Sequence, residues 1–235
     1  MKNRNIYIAL IPLYVLVCAS IIAATAGGSR VVTVMVENAP VTREHCVVID
    51  AGHGGIDGGA TSCTGVLESK INLEISLRLR DLMHLLGIDT VMIRTTDESI
   101  YTSGDTIAAQ KISDLKNRVK LVNETDDAIL VSIHQNLFAD SRYSGAQVFY
   151  SGTQHSRELA GKMQSAFVST INPGSKRQPK AANGIYLMQH IDTTGILIEC
   201  GFLSNPEEEA KLRSEAYQQK ICCIIAATLS DFICS

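Results

Sequence analysis

Three short, mainly apolar runs limit the fold of this chain more than any other feature: CVVIDA at 46–51, AILVSIH at 128–134 and GILIEC at 195–200, each with its polar residue at or beside its end. They are rich in β-branched residues and continuous rather than alternating, the pattern of strands buried on both faces. Such strands need helices on either side. The intervening segments supply them: residues 69–86 carry a helical stripe of Ile71, Ile75, Leu79, Leu82 and Leu86 closed by Gly87, and residues 112–123 place Ile112, Leu115, Val119 and Val122 on one face. Residues 156–170, 206–213 and 215–233 read as further helices, and 89–94, 146–151 and 185–189 as shorter strands. Strands alternating with helices predict an α/β fold, a three-layer sandwich with a largely parallel, roughly six-stranded central sheet.

Ahead of this domain, Lys2 and Arg4 precede residues 6–28, which hold no charge. That stretch is long enough to span a bilayer, and Ala24-Thr25-Ala26 also has the form of a signal-peptide cleavage site. The expectation is a signal peptide or N-terminal membrane anchor over 1–28, a linker over 29–45 with a short strand near 31–36, and a catalytic domain over 46–235. Positive charge before the apolar run predicts that the domain beyond it is exported. The seven cysteines are odd in number and form no C-x-x-C, so buried free thiols are expected rather than a disulfide framework. A formal charge of −3 and a pI near 6.1 lack the basic footprint of a nucleic-acid binder.

In open α/β sheets, ligand sites gather beyond the carboxyl ends of the strands. His53 follows the first long strand in Asp50-Ala51-Gly52-His53-Gly54-Gly55, His134 ends the second and Glu199 lies at the end of the third. Glu68 opens the first long helix. Two histidines and a carboxylate are a common ligand set for catalytic zinc, which polarises a carbonyl and acidifies water. A second carboxylate can then move the water's proton to the leaving amine. Spacing alone does not choose the metal-binding carboxylate: Asp50, Asp57 and Glu74 compete with Glu68. The structural alternative for each residue is a hydrogen-bonding group at a strand end. The glycines from 54 to 59 could cradle a phosphate, but neither the P-loop nor the dinucleotide order is present.

At these residues the chain resembles the zinc-dependent N-acetylmuramoyl-L-alanine amidases of the type-3 class. The matching pieces are Ile49 to Gly55 with Gly58-Gly59-Ala60, Glu68 with Asn72 and Leu73, Arg94 with Asp97, Asn117-Arg118, Val131 to Asn136, Gly145, and Ile198 to Pro206. The resemblance implies one zinc held by His53, Glu68 and His134, with Glu199 as the catalytic glutamate. It implies hydrolysis of the amide between N-acetylmuramic acid and L-alanine in peptidoglycan. One departure is Glu68-Ser69-Lys70, where the family usually has Lys directly after Glu. Only 64 residues separate His134 from Glu199, which leaves no room for a long autoinhibitory helix. A small domain behind an apolar leader is most similar to the CwlD-type spore-cortex amidases, and implies a role in muramic-δ-lactam formation and germination.

With no wall-binding module in view, the domain is expected to rely on its anchor or on an accessory activator protein. Its place would be the outer face of the cytoplasmic membrane or the wall and cortex space. Arg94, Asp97 and Arg118 are either a buried salt-bridge set supporting the site or solvated charges, and the resemblance implies the supporting role. Lys176, Arg177 and Lys180 form a basic loop that is either a solvated face or a contact for stem-peptide carboxylates. Residues 221–233 are too short to span a membrane and read as a core helix. A zinc exopeptidase and a non-catalytic zinc-containing wall-binding protein are the competing functions; retention of Glu199 argues against the second.

Overall fold

The computed structural model describes residues 45–235. The leader, Cys18 and the strand expected near 31–36 lie outside the described residues. Strands β1 (Cys46–Ala51), β2 (Thr90–Met92), β3 (Ala128–Asn136), β4 (Gln147–Tyr150), β5 (Lys180–Ala181) and β6 (Thr194–Phe202) form one sheet in the order β2-β1-β3-β6-β4-β5. The first four in that order are parallel; β4 runs antiparallel to β6, and β5 runs parallel to β4.

Because side chains alternate across a strand, each apolar run feeds two cores. Val47, Ile49, Ile129, Val131, Ile133, Ile196 and Ile198 pack against α1 (Glu68–Leu85), α3 (Ser156–Thr170) and α6 (Glu215–Ile233). Val48, Leu130 and Leu197 face the other way, against α2 (Ile107–Asn123) and α4 (Tyr186–His190). The short α5 (Pro206–Leu212) comes after β6, capped by Asn205, whose side chain accepts from the amides of Glu207 and Glu208. The alternation also places Asp50, Ser132, His134 and Glu199 on the α2 side at the carboxyl ends of β1, β3 and β6. Among the described residues no helix is long and apolar enough to cross a membrane, and α6 is a core helix with Ile221, Ile225 and Leu229 fully buried.

Three expectations are corrected. Residues 185–189 are not a strand: Tyr186–His190 is helical, and Leu187, Met188 and Ile191 share one face against the second core. Leu, Met and Gln favour that conformation more than the β-branched residues of the true strands do. The strand place at this edge goes to Lys180–Ala181, inside the basic loop. On α2 the buried residues are Ser113, Asp114, Arg118 and Val122, while Ile112 is 53% exposed. The helix turns a polar face inward because the site behind it is charged. Among the described residues the thiols are free but only partly buried: Cys200 and Cys222 are enclosed, whereas Cys63, Cys223 and Cys234 are exposed.

Candidate active site

His53 sits in the loop after β1 with φ 62°. Its ring is fixed from behind: Nδ1 donates to Asp57 Oδ2 at 2.8 Å, and Lys111 Nζ on α2 donates to the other oxygen of Asp57 at 2.8 Å. That bond selects the tautomer with a free Nε2 lone pair, the form a metal requires. Nε2 lies 3.3 Å from Glu68 Oε2. His134, on β3, brings Nδ1 to 3.0 Å from Glu68 Oε1.

Glu68 is the hub. It is buried at the first turn of α1, and it accepts from the amides of Ala60 (2.9 Å) and Gln135 (3.1 Å) and from Asn72 Nδ2 (3.2 Å). Burial alone would raise its carboxyl; the His134 and His53 bonds and charges outweigh this and hold it well below the ordinary carboxylate range. Burial likewise opposes a charge on His53, but Asp57 and Glu68 raise it to about 9. Those figures belong to a metal-free cluster, in which protons occupy the place of a cation.

One ligand atom from each of His53, Glu68 and His134 lies within 4.8 Å of the others. Glycines make the closeness possible. A Cβ on Gly52 would stand 2.2 Å from His134 Nε2, and one on Gly59 would stand 2.7 Å from both Glu68 Oε2 and His53 Cδ2. Two imidazoles and a carboxylate held by fixed donors fit the ligand set of a catalytic zinc.

Glu199 pairs in register with His134 on the neighbouring strand. Its Oε2 is buried without a hydrogen-bond partner among the described residues. Burial raises its carboxyl to about 7, with His134 and His53 lowering it and Glu68 adding to the rise. His53, His134 and Glu199 open onto a cavity of about 380 Å³ walled by Leu187 and Tyr186. A larger cleft of about 810 Å³ lies beside Asn172 and Tyr217, but holds no histidine and none of these four residues.

The rival carboxylates are otherwise engaged. Asp50 accepts from Ser132 Oγ and pairs with buried Arg118, Asp57 orients His53, and Glu74 accepts from Gln218 Nε2. Of the expected salt-bridge set, only Arg118 forms ion pairs among the described residues. Arg118 bridges Asp50 and Asp114 and donates to the carbonyl of His53; Arg94 holds the carbonyls of Ala51, Gly52 and Ser69. Asp97 is exposed and accepts from the amide of Gly55, with no ion pair among the described residues. Lys111 and Asp114 were not singled out from the sequence. Their signal is the spacing Lys111, Asp114, Arg118 along one face of α2.

A family model for N-acetylmuramoyl-L-alanine amidases matches residues 47–231. The chain is 37% identical over 176 residues to the germination-specific N-acetylmuramoyl-L-alanine amidase of Bacillus subtilis, covering 74% of each. It resembles the CwlD amidase of Clostridioides difficile, solved in complex with the GerS lipoprotein, with TM-score 0.77 and 36% identity over 80% of this chain and 98% of that one. An N-acetylmuramoyl-L-alanine amidase of Clostridium difficile 630 matches with TM-score 0.71 and 32% identity over 83% and 99%. The chain belongs to the N-acetylmuramoyl-L-alanine amidase family, and its activity is hydrolysis of that amide in peptidoglycan.

Proposed function

We propose that this activity depends on zinc held by His53, Glu68 and His134, and that Glu199 is the proton-transferring residue. The observation that carries the reading is the convergence of three ligand atoms beside a buried, unpartnered Glu199 oxygen. Zinc bound there would supply Lewis acidity toward the scissile carbonyl and the attacking water. Glu199 Oε2 takes the proton of the attacking water as the C–O bond forms. It returns that proton to the L-alanine nitrogen as the C–N bond breaks. Asp57 and Lys111 keep His53 aimed, and Leu187 and Tyr186 restrict bulk water.

The substrate is assigned to the spore cortex, at the step that strips stem peptides before lactam formation, because the chain's relatives include a germination-specific enzyme. The CwlD relative was solved in complex with a lipoprotein, and an accessory protein is proposed here as well. Residues 1–28 are proposed as the leader or anchor that carries residues 46–235 across the membrane; a reporter after Ser235 that works only in the cytoplasm would contradict this. Digestion of defined muropeptides with subsequent mass analysis tests the reaction. The expected products are glycan with a free lactyl carboxyl and an intact stem peptide. Shortened peptides still attached to glycan would instead mean an exopeptidase.

A further inference from the structure

How the substrate is held can be inferred further, resting on the amidase reading. Since β4 opposes β6 and β5 runs with β4, the residues entering β4 and β5 lie at the end of the sheet that carries His134 and Glu199. An aromatic shelf stands there. The rings of Phe138 and Tyr143 meet edge to face at 4.9 Å, and Tyr143 lies 6.1 Å from Phe202, three residues beyond Glu199 on β6. Phe202 is buried, but Phe138 and Tyr143 are 52% and 47% exposed.

The shelf is anchored. Buried Glu208 accepts from the amides of Gly145 (2.7 Å) and Phe202 (2.8 Å), tying the loop that carries Tyr143 to the strand that carries Phe202. The Arg177 guanidinium lies 5.1 Å from the centroid of the Phe202 ring and donates to the Ser144 carbonyl at 3.1 Å. The ring face and the carbonyl fix its plane. Among the described residues no carboxylate forms an ion pair with Arg177, so most of its donors remain available. Lys176 and Lys180, both exposed, add positive charge on either side in sequence.

We propose that this shelf is the subsite for the stem peptide, with Arg177 binding one of its carboxylates and Phe138 and Tyr143 packing against its aliphatic portions. Charge decides between the two halves of the substrate. The glycan is neutral while its lactyl carboxyl is tied up in the amide, whereas the peptide keeps free carboxylates. A guanidinium oriented by an aromatic ring is suited to a planar carboxylate.

The test compares two soluble muropeptides, one with free stem carboxylates and one with them amidated. In the wild type the KM on the amidated substrate should exceed that on the free one about tenfold, the worth of one charge-assisted hydrogen bond. In Arg177→Ala that ratio should collapse toward one, through KM rather than kcat, and Arg177→Lys should restore part of it. Equal KM values in the wild type, or a ratio unmoved by Arg177→Ala, would overturn the proposal. Titration of the free stem peptide into wild-type, Arg177→Ala and Phe138→Ala chains, with zinc content measured alongside, reads binding without turnover. If the wild type hydrolyses neither muropeptide, the amidase reading has failed while the titration still decides the subsite: weaker binding by both variants supports it, and unchanged binding overturns it. Variants that bind peptide normally but lose capture of an accessory protein would make the shelf a protein-docking surface, which also overturns it.

Discussion

At the scale of single residues, the site is built as much by missing side chains as by present ones. Gly52 has no room for a methyl group because His134 Nε2 occupies that space. Gly52→Ala is therefore expected to push His134 off the cluster, losing zinc and turnover together. Gly161 in α3 has open space around it, so Gly161→Ala should leave both intact and stabilise the helix by about 0.5–1 kcal/mol. Zinc analysis of the two purified variants checks this; a Gly52→Ala chain with full zinc would contradict the packing argument. His53, Glu68, His134 and Glu199 were legible as candidates because ionisable groups at strand and helix ends stand out against apolar runs. Lys111 was not, since a lysine on a helix ordinarily marks the solvated face, and only the fold brings it to Asp57.

At the scale of elements, the three long strands were legible because burial on both faces leaves a continuous apolar run. The two-residue β5 was not, since two residues carry no periodicity. Helix α2 misled for a physical reason. Its apolar stripe suggested an ordinary core face, but the residues turned inward serve a buried ion cluster. Asp50 and Arg118 are 1% and 3% exposed. Arg118→Leu would leave Asp50 buried without its cation and free the carbonyl of His53, and should cost about 3–5 kcal/mol, the usual penalty for breaking a buried pair. Urea unfolding of zinc-loaded protein measures it. A loss below about 1 kcal/mol, as for a surface pair, would mean that Arg118 does not hold the loop.

At the scale of the whole molecule, the proposed zinc site makes metal and proton competitors for one cluster, and a pH dependence of stability is expected from it. In metal-free protein His53 is raised from 6.5 to about 9, so its contribution is complete below pH 6.5 and disappears as pH rises through about 9. Glu68 and Asp57 are held below their ordinary 4.5 and 3.8, so their contribution is present above those values and is lost as pH falls. The metal-free domain should accordingly melt highest between pH 4.5 and 6.5. Zinc requires the neutral imidazole, so the rise in Tm on adding it should grow from pH 6.5 to about 9. Saturating zinc can add about 4 kcal/mol at a thousand times its Kd. Calorimetry with and without chelator checks both; a zinc increment independent of pH would contradict the competition. The central claim, that one glutamate binds metal and the other moves a proton, is tested most directly by measuring zinc content and kcat side by side in Glu68→Gln and Glu199→Gln. Glu68→Gln should lose both, while Glu199→Gln should keep its zinc and lose about 10²–10⁴-fold in rate. An active Glu199→Gln, or one that loses zinc while Glu68→Gln retains it, would contradict the account.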